Sequence, residues 1–202
     1  MWSQIKPIKV WGKGGPNPPK VAIVLEELGL PYEAVAIQFA DVKKPDYLAI
    51  NPNGRLPAIY DPNTDLTLWE SGAIIEYLIE RYDTTHKLSF APGTAESYHA
   101  KQWLFFQTTG QGPYYGQARY TKEISRVTGV LEGHLARQKV DADSDGPWLV
   151  GNKFSYADIS FIPCRIMTTR IIGRDEYNPD NFPHMTSRKS VKEVLESRER
   201  LE

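Results

Sequence analysis

The sequence predicts an α/β domain followed by an all-helical domain. Short alternating apolar runs and two amphipathic helical runs fill the first 83 residues. A polar stretch, 84–94, then ends in Pro92-Gly93. Beyond it apolar residues recur at helical spacing, and no strand pair is convincing. The expected organisation is a first domain over 1–84, a linker over 85–94 and an all-helical domain over 95–202.

Residues 5–11 alternate around Pro7 and include Ile8 and Val10, which reads as a strand. Gly12-Lys13-Gly14-Gly15 is a loop. Val21, Val24, Leu25 and Leu28 then follow the i, i+3, i+4, i+7 pattern of an amphipathic helix, stopped by Gly29. Residues 32–38 alternate again as a second strand, giving strand–helix–strand with the short connections of a βαβ unit. Residues 40–50 are polar and loop-like, and Asn51-Pro52-Asn53-Gly54 is turn chemistry. Residues 56–60 and 66–69 form a hairpin about Asp61-Pro62-Asn63. Ser71, Ile74, Ile75, Leu78 and Tyr82 give the next helix, so the frame is βαβ–ββα.

In the second half, 95–107 is helical and carries Trp103-Leu104-Phe105-Phe106. Glycines from Gly110 to Gly116 interrupt it, and 120–139 resumes helix. Ser155 and Asp158, three apart, mark a helix start close to a capping box, with Asp in place of Glu. The last helix carries Val191, Val194 and Leu195.

The 202 residues carry 24 basic and 25 acidic side chains, a net charge of −1. That balance offers no electrostatic footprint for nucleic acid or an anionic membrane, so a small molecule or a protein is the expected partner. Cys164 is the one cysteine, which excludes an intramolecular disulfide and fits a reducing compartment. No run reaches the roughly 18 apolar residues of a membrane span. The N-terminus lacks an apolar signal core, so a cytoplasmic protein is expected. Asp141-Ala142-Asp143-Ser144-Asp145-Gly146 mimics a calcium loop, but its twelfth position is Asn152 rather than a bidentate Glu. The four histidines lack metal spacing, and no metal is expected.

Three places invite a ligand. Asn17 precedes Pro18-Pro19 at the first helix, whose N-terminus favours an anion, including a thiolate. Its side chain either caps the helix through its oxygen, the reading the residues favour, or aims its NH₂ at a ligand. Pro57 forfeits a ladder N–H where it enters a strand. It is either a trans proline on an edge or a cis one that turns the Leu56 backbone outward. Ser71, with Glu70 before it, either caps the next helix, or the pair holds a ligand, Glu70 taking an ammonium and the helix start a carboxylate.

Each feature is weak alone, but their order on one frame is not. Pro16-Asn17, the run from Val21 to Gly29, Asn51-Pro52-Asn53-Gly54-Arg55-Leu56-Pro57-Ala58 and Trp69-Glu70-Ser71-Gly72-Ala73-Ile74 resemble the glutathione transferases. So do Trp103 to Gln107, Gly112-Pro113, Gly116-Gln117, Trp148-Leu149-Val150-Gly151 and Tyr156-Ala157-Asp158-Ile159. Within the family the chain is similar to the fungal nitrogen-regulator-like group and the bacterial nu class. The resemblance implies a thioredoxin-like domain joined to a helical domain, as a homodimer that uses glutathione as co-substrate against a small apolar electrophile. Conjugation is the implied reaction, in detoxification or secondary metabolism, with peroxide or disulfide reduction as further activities. A non-catalytic, glutathione-binding regulatory protein is the alternative.

By the same resemblance Asn17 addresses the thiol and Leu56, before cis-Pro57, pairs with the cysteinyl backbone. Glu70 and Ser71 hold the γ-glutamyl end with Arg55 beside them, and Arg119 approaches glutathione. Relatives place Gln or His near Val42, a role that passes here to Lys43, and nu-class enzymes carry Thr where this chain has Gly15. Tyr114 and Tyr115, and less so Phe105 and Phe106, are candidates for the wall of the second-substrate site. Relatives also insert roughly fifteen residues before the counterpart of Arg119, so the chain reversal is expected at 110–116, or else 114–139 forms one helix.

Overall fold

The computed structural model describes residues 5–12, 14–111, 121–138, 146–171 and 188–199. Two compact units divide the chain: Met1–Asp83 with Lys189–Glu202, and Thr84–Arg188.

The first unit is built on a four-stranded sheet of β1 (Ile8–Trp11), β2 (Tyr32–Val35), β3 (Ala58–Asp61) and β4 (Leu66–Trp69), in the order β2-β1-β3-β4. β1 and β2 run parallel, and the other pairs are antiparallel. The connection from β1 to β2 is α1 (Pro18–Leu28), and β4 leads into α3 (Ser71–Tyr82). This is the thioredoxin-like βαβ–ββα frame read from the sequence. β1 and β2 are shorter than their alternating patterns. The polar stretch 40–50, read as loop, contains a helical turn, α2 (Pro45–Leu48), opened by Pro45 at its first position.

Strand alternation gives the sheet two buried faces. Ile8, Val10 and Ile59 are buried on one, with Ile59 directly across from Val10. Val21, Val24 and Leu25 of α1 and Ile74, Ile75 and Leu78 of α3 are equally buried. Trp11 and Ala58, opposite each other in register, point to the other face and pack with Val42, Tyr47 and Leu56. Asp61 ties the hairpin to α3. It is fully buried and accepts from Tyr77 Oη at 2.6 Å, from Tyr82 Oη, and from Asn63 N and Nδ2 at 2.8 and 2.9 Å. Burial pushes this carboxyl up, but the bonds from Tyr77, Tyr82 and Asn63 outweigh it and hold the group below the usual carboxylate range.

The final helix, α7 (Lys189–Glu199), is grouped with this first unit, and Ser190 Oγ donates to Glu27 Oε1 at 2.6 Å on α1. Val191 and Val194 are its buried apolar positions.

The second unit holds α4 (Ala95–Phe106), α5 (Thr121–Leu135) and α6 (Tyr156–Ile171). Thr94 Oγ1 caps α4 by accepting from Ser97 N at 3.3 Å. A π-helical turn, Gln107–Gln111, follows α4. Its cause is local. Thr108 and Thr109 both donate side-chain bonds to the Phe105 carbonyl, at 3.0 and 2.8 Å, and Gly110 follows. Val127, Leu131 and Leu135 form the buried stripe of α5. Trp103 stacks edge-on against Phe106 and Phe161, with centroids 5.7 and 6.2 Å apart. Cys164 is fully buried and accepts from Gln107 Nε2 at 3.2 Å, a structural thiol. The stretch 84–94 lies in this unit, where Tyr156 N donates to the Leu88 carbonyl at 3.0 Å. Among the described residues no helix is long and apolar enough to cross a membrane.

Candidate functional site

An open groove of about 220 Å³ runs along the first unit, lined in part by Gly15, Asn17, Phe39, Val42, Arg55 and Leu56. It therefore brings together three of the residues singled out in the sequence: Asn17, Arg55 and Leu56. They arrive from the start of α1 and the loop before β3.

The end of α1 differs from the expected cap. Asn17 has αR backbone angles, φ −91° and ψ −40°, and its side chain makes no capping bond. The capping reading is thereby overturned. The prolines supply the reason. A helix start leaves its first N–H groups unpaired, but Pro18 and Pro19 have none to leave. The Lys20 N–H is satisfied by the Asn17 carbonyl at 3.2 Å. A side-chain cap would have no open N–H to satisfy. Asn17 lines the groove instead, its carboxamide unused as a cap.

The Arg55–Leu56 wall is fixed from beneath. The Arg55 carbonyl accepts from Asn51 Nδ2 at 2.7 Å and from Tyr47 Oη at 2.8 Å. Burial raises the Tyr47 hydroxyl above the ordinary phenol value, with the Asn51 bond opposing, so it stays protonated and remains a donor. Asn51 is 1% exposed, and its Oδ1 accepts from Asn53 N at 3.0 Å. The Leu56–Pro57 peptide is cis. β3 begins only at Ala58, and among the described residues no backbone hydrogen bond uses the Leu56 N–H or carbonyl.

Gly54 closes this loop at φ 58°, and a Cβ there would lie 2.7 Å from the Val42 carbonyl oxygen. Gly54→Ala should therefore cost roughly 2–3 kcal/mol from left-handed strain and the backbone clash. A melting temperature about 5–10 °C lower than wild type is expected in a thermal scan. Lys43 lies against the same turn and donates to the Asn53 carbonyl at 2.8 Å, which leaves two of its ammonium protons for another acceptor.

The start of α3 is the converse of α1. Glu70, not Ser71, occupies the N-cap position, and it makes no side-chain capping bond. Ser71 is the first helical residue, so the reading of Ser71 as cap is corrected. No proline follows. The Ser71, Gly72 and Ala73 N–H groups precede the first intrahelical bond, from Ile74 N to the Glu70 carbonyl at 2.9 Å. They and the Ser71 hydroxyl, on a residue 7% exposed, offer an anion several donors at once. Glu70 holds φ 72°, an uncommon angle for a side-chain-bearing residue and costly by about 1–3 kcal/mol. Its Oε1 accepts from Asn53 Nδ2 at 3.4 Å, which joins this corner to the Arg55–Leu56 loop.

Arg119, Tyr114 and Tyr115, and the expected reversal over 110–116 apart from its first two residues, lie outside the described residues. Of the remaining aromatic candidates, Phe106 packs into the Trp103–Phe161 cluster, whereas Phe105 is exposed. The sequence reading missed Phe39. It lies in the connection after β2, where it extends the alternation of Val35 and Ile37, a strand pattern that points to no ligand. Among the described residues no group of three or more His, Cys, Asp or Glu is arranged to hold a metal.

Residues 6–80 match the family model "Glutathione S-transferase, N-terminal domain", and 100–201 match "Glutathione S-transferase, C-terminal domain". The chain is 58% identical to the glutathione S-transferase-like protein gedE of Aspergillus terreus, over 96% of each chain. It is 41% identical to glutathione S-transferase 2 of Schizosaccharomyces pombe, over 82% of this chain and 76% of that one. Among solved structures, the glutathione transferase URE2P6 of Phanerochaete chrysosporium, in complex with oxidized glutathione, superposes with a TM-score of 0.85 at 40% identity, covering 100% of both chains.

Proposed function

The chain belongs to the glutathione S-transferase family, and from that premise we propose that it conjugates the thiolate of glutathione to small apolar electrophiles. The carrying observation is the uncapped Asn17 carboxamide, which shares one groove with Arg55 and Leu56. In the proposed complex Asn17 Nδ2 donates to the glutathione sulfur. The Leu56 N–H and carbonyl pair with the cysteinyl backbone beside Pro57. The Ser71 hydroxyl and the open N–H groups of α3 receive the γ-glutamyl carboxylate, and Glu70 receives its ammonium. Arg55 flanks that end, and Lys43 faces the glycyl carboxylate.

The chemistry needs no side-chain base. A free thiol titrates near pH 8.5, and lowering that by about two units takes roughly 2.7 kcal/mol. A hydrogen bond to a charged group contributes about 1.5–3 kcal/mol, and the helix dipole adds about 0.3–1. The thiol proton passes to water. The sulfur lone pair then forms the bond to the electrophilic carbon as the leaving group departs with its electron pair. The reading includes a homodimer in the cytoplasm, acting in detoxification or secondary-metabolite biosynthesis. Peroxide and disulfide reduction are further activities of the same thiolate.

The test is retention on immobilised glutathione combined with turnover of an aryl halide, a hydroperoxide and a mixed disulfide. Retention with aryl-halide conjugation is the expected result. Retention without turnover of any of the three would favour the regulatory, non-catalytic alternative, and failure to bind glutathione would overturn both.

A further inference from the structure

The first unit carries at the groove a large aromatic side chain that its core does not bury. Phe39 is 67% exposed, although a Phe contributes most to stability when it is buried. Its backbone is nevertheless held. It lies in a turn closed by Asp41 N donating to the Gln38 carbonyl at 2.9 Å, and Lys44 N donates in turn to the Asp41 carbonyl at 2.9 Å.

The ring rests on bare main chain. A Cβ added to Gly14 would lie 3.2 Å from Phe39 Cε2, and one added to Gly15 would lie 3.6 Å from Cζ. Gly15 also has φ 80°, which a side-chain-bearing residue adopts only under strain. Two successive glycines therefore let the tip of the aromatic ring approach the loop that delivers Asn17. Asn17, Phe39, Val42 and Leu56 line one and the same groove.

We infer that Phe39 determines specificity: its ring is the first unit's own wall for a flat aromatic substituent attached, or being attached, to the sulfur at Asn17. The inference rests on the conjugation reading above and adds the substrate class that the groove prefers. A stacked aromatic pair contributes enough to change affinity by a factor of about 2–10. A methyl substituent presents no face to the ring and gains nothing from it.

The experiment measures calorimetric affinities of glutathione, S-methylglutathione and S-(p-nitrobenzyl)glutathione for wild type, Phe39→Ala and Phe39→Trp. Wild type is expected to prefer the nitrobenzyl conjugate over the methyl one. Phe39→Ala should cut that preference about two- to tenfold and leave glutathione affinity within about twofold. Phe39→Trp should keep the preference. An unchanged preference in Phe39→Ala overturns the inference while the glutathione reading stands. Equal losses for all three ligands also overturn it, since they assign the ring a purely structural part. A wild type that binds no glutathione overturns the functional reading, and the inference with it.

Discussion

Replacing Asn17 with alanine should lower glutathione-conjugating turnover at neutral pH by roughly 10- to 100-fold, the rate equivalent of one hydrogen bond to a charged group. Glutathione affinity should change only a few-fold, because the proposed contacts of Leu56, Glu70 and Ser71 persist. The prolines make the expected loss large. At most helix starts, neighbouring N–H groups would take over part of the work. Here Pro18 and Pro19 have none, and Lys20 N is bound to the Asn17 carbonyl. The pH profile separates a thiol effect from a folding effect. Without the carboxamide the thiol returns toward its free value near 8.5, so the rising limb of the profile should move up by about 1–2 pH units. At about pH 9.5 the variant should approach wild type. An unchanged profile with full turnover at pH 7 would remove Asn17 from the chemistry.

Asp158→Asn should be the most damaging single-atom exchange in the second unit. The Asp158 side chain is fully buried in the first turn of α6. Oδ2 accepts from Ser155 N at 2.9 Å and from Ser155 Oγ at 2.8 Å, while Oδ1 accepts from Leu149 N at 2.9 Å. Asparagine has one oxygen, so its NH₂ must face one of those N–H groups. A loss of about 2–4 kcal/mol follows, or a fall in melting temperature of about 5–15 °C. Burial pushes the Asp158 carboxyl up to about 6, with the bonds from Leu149 and Ser155 opposing. Its folded value lies above the unfolded one, so the stability from this titration is complete below pH about 4 and is lost as pH rises through about 6. Wild type should therefore lose stability relative to Asp158→Asn across that window and run parallel above it. Melting curves at half-unit pH steps check both points. A variant that melts within 1 °C or so of wild type at pH 7 would sink the capping argument.

What the sequence disclosed depended on whether a signal was local. The hairpin strand over Leu66–Trp69 and the helix over Ser71–Tyr82 were legible because alternation and helical spacing need only neighbouring residues. The Ser155–Asp158 pairing was legible for the same reason: both partners and the helix they open are adjacent. Asn17 was misread because residue preference at a cap is an average over helices with N–H groups to satisfy. Two prolines removed that condition. Ser71 was shifted by one position because Glu70 adopts a left-handed angle that no spacing announces. Phe39 was invisible for a different reason. Its significance lies in lying over Gly14 and Gly15, a contact between two loops that only the folded backbone creates. Likewise, α7 read as the end of a helical domain, and only the folded chain shows it packed on α1, with the bond from Ser190 to Glu27.

That bond has a bearing on how the molecule is made. The unit that carries the groove is discontinuous, since its last helix is translated after every residue of the other unit. The unit that carries the groove, although made first, therefore completes its packing only after the whole of the other unit has been synthesised.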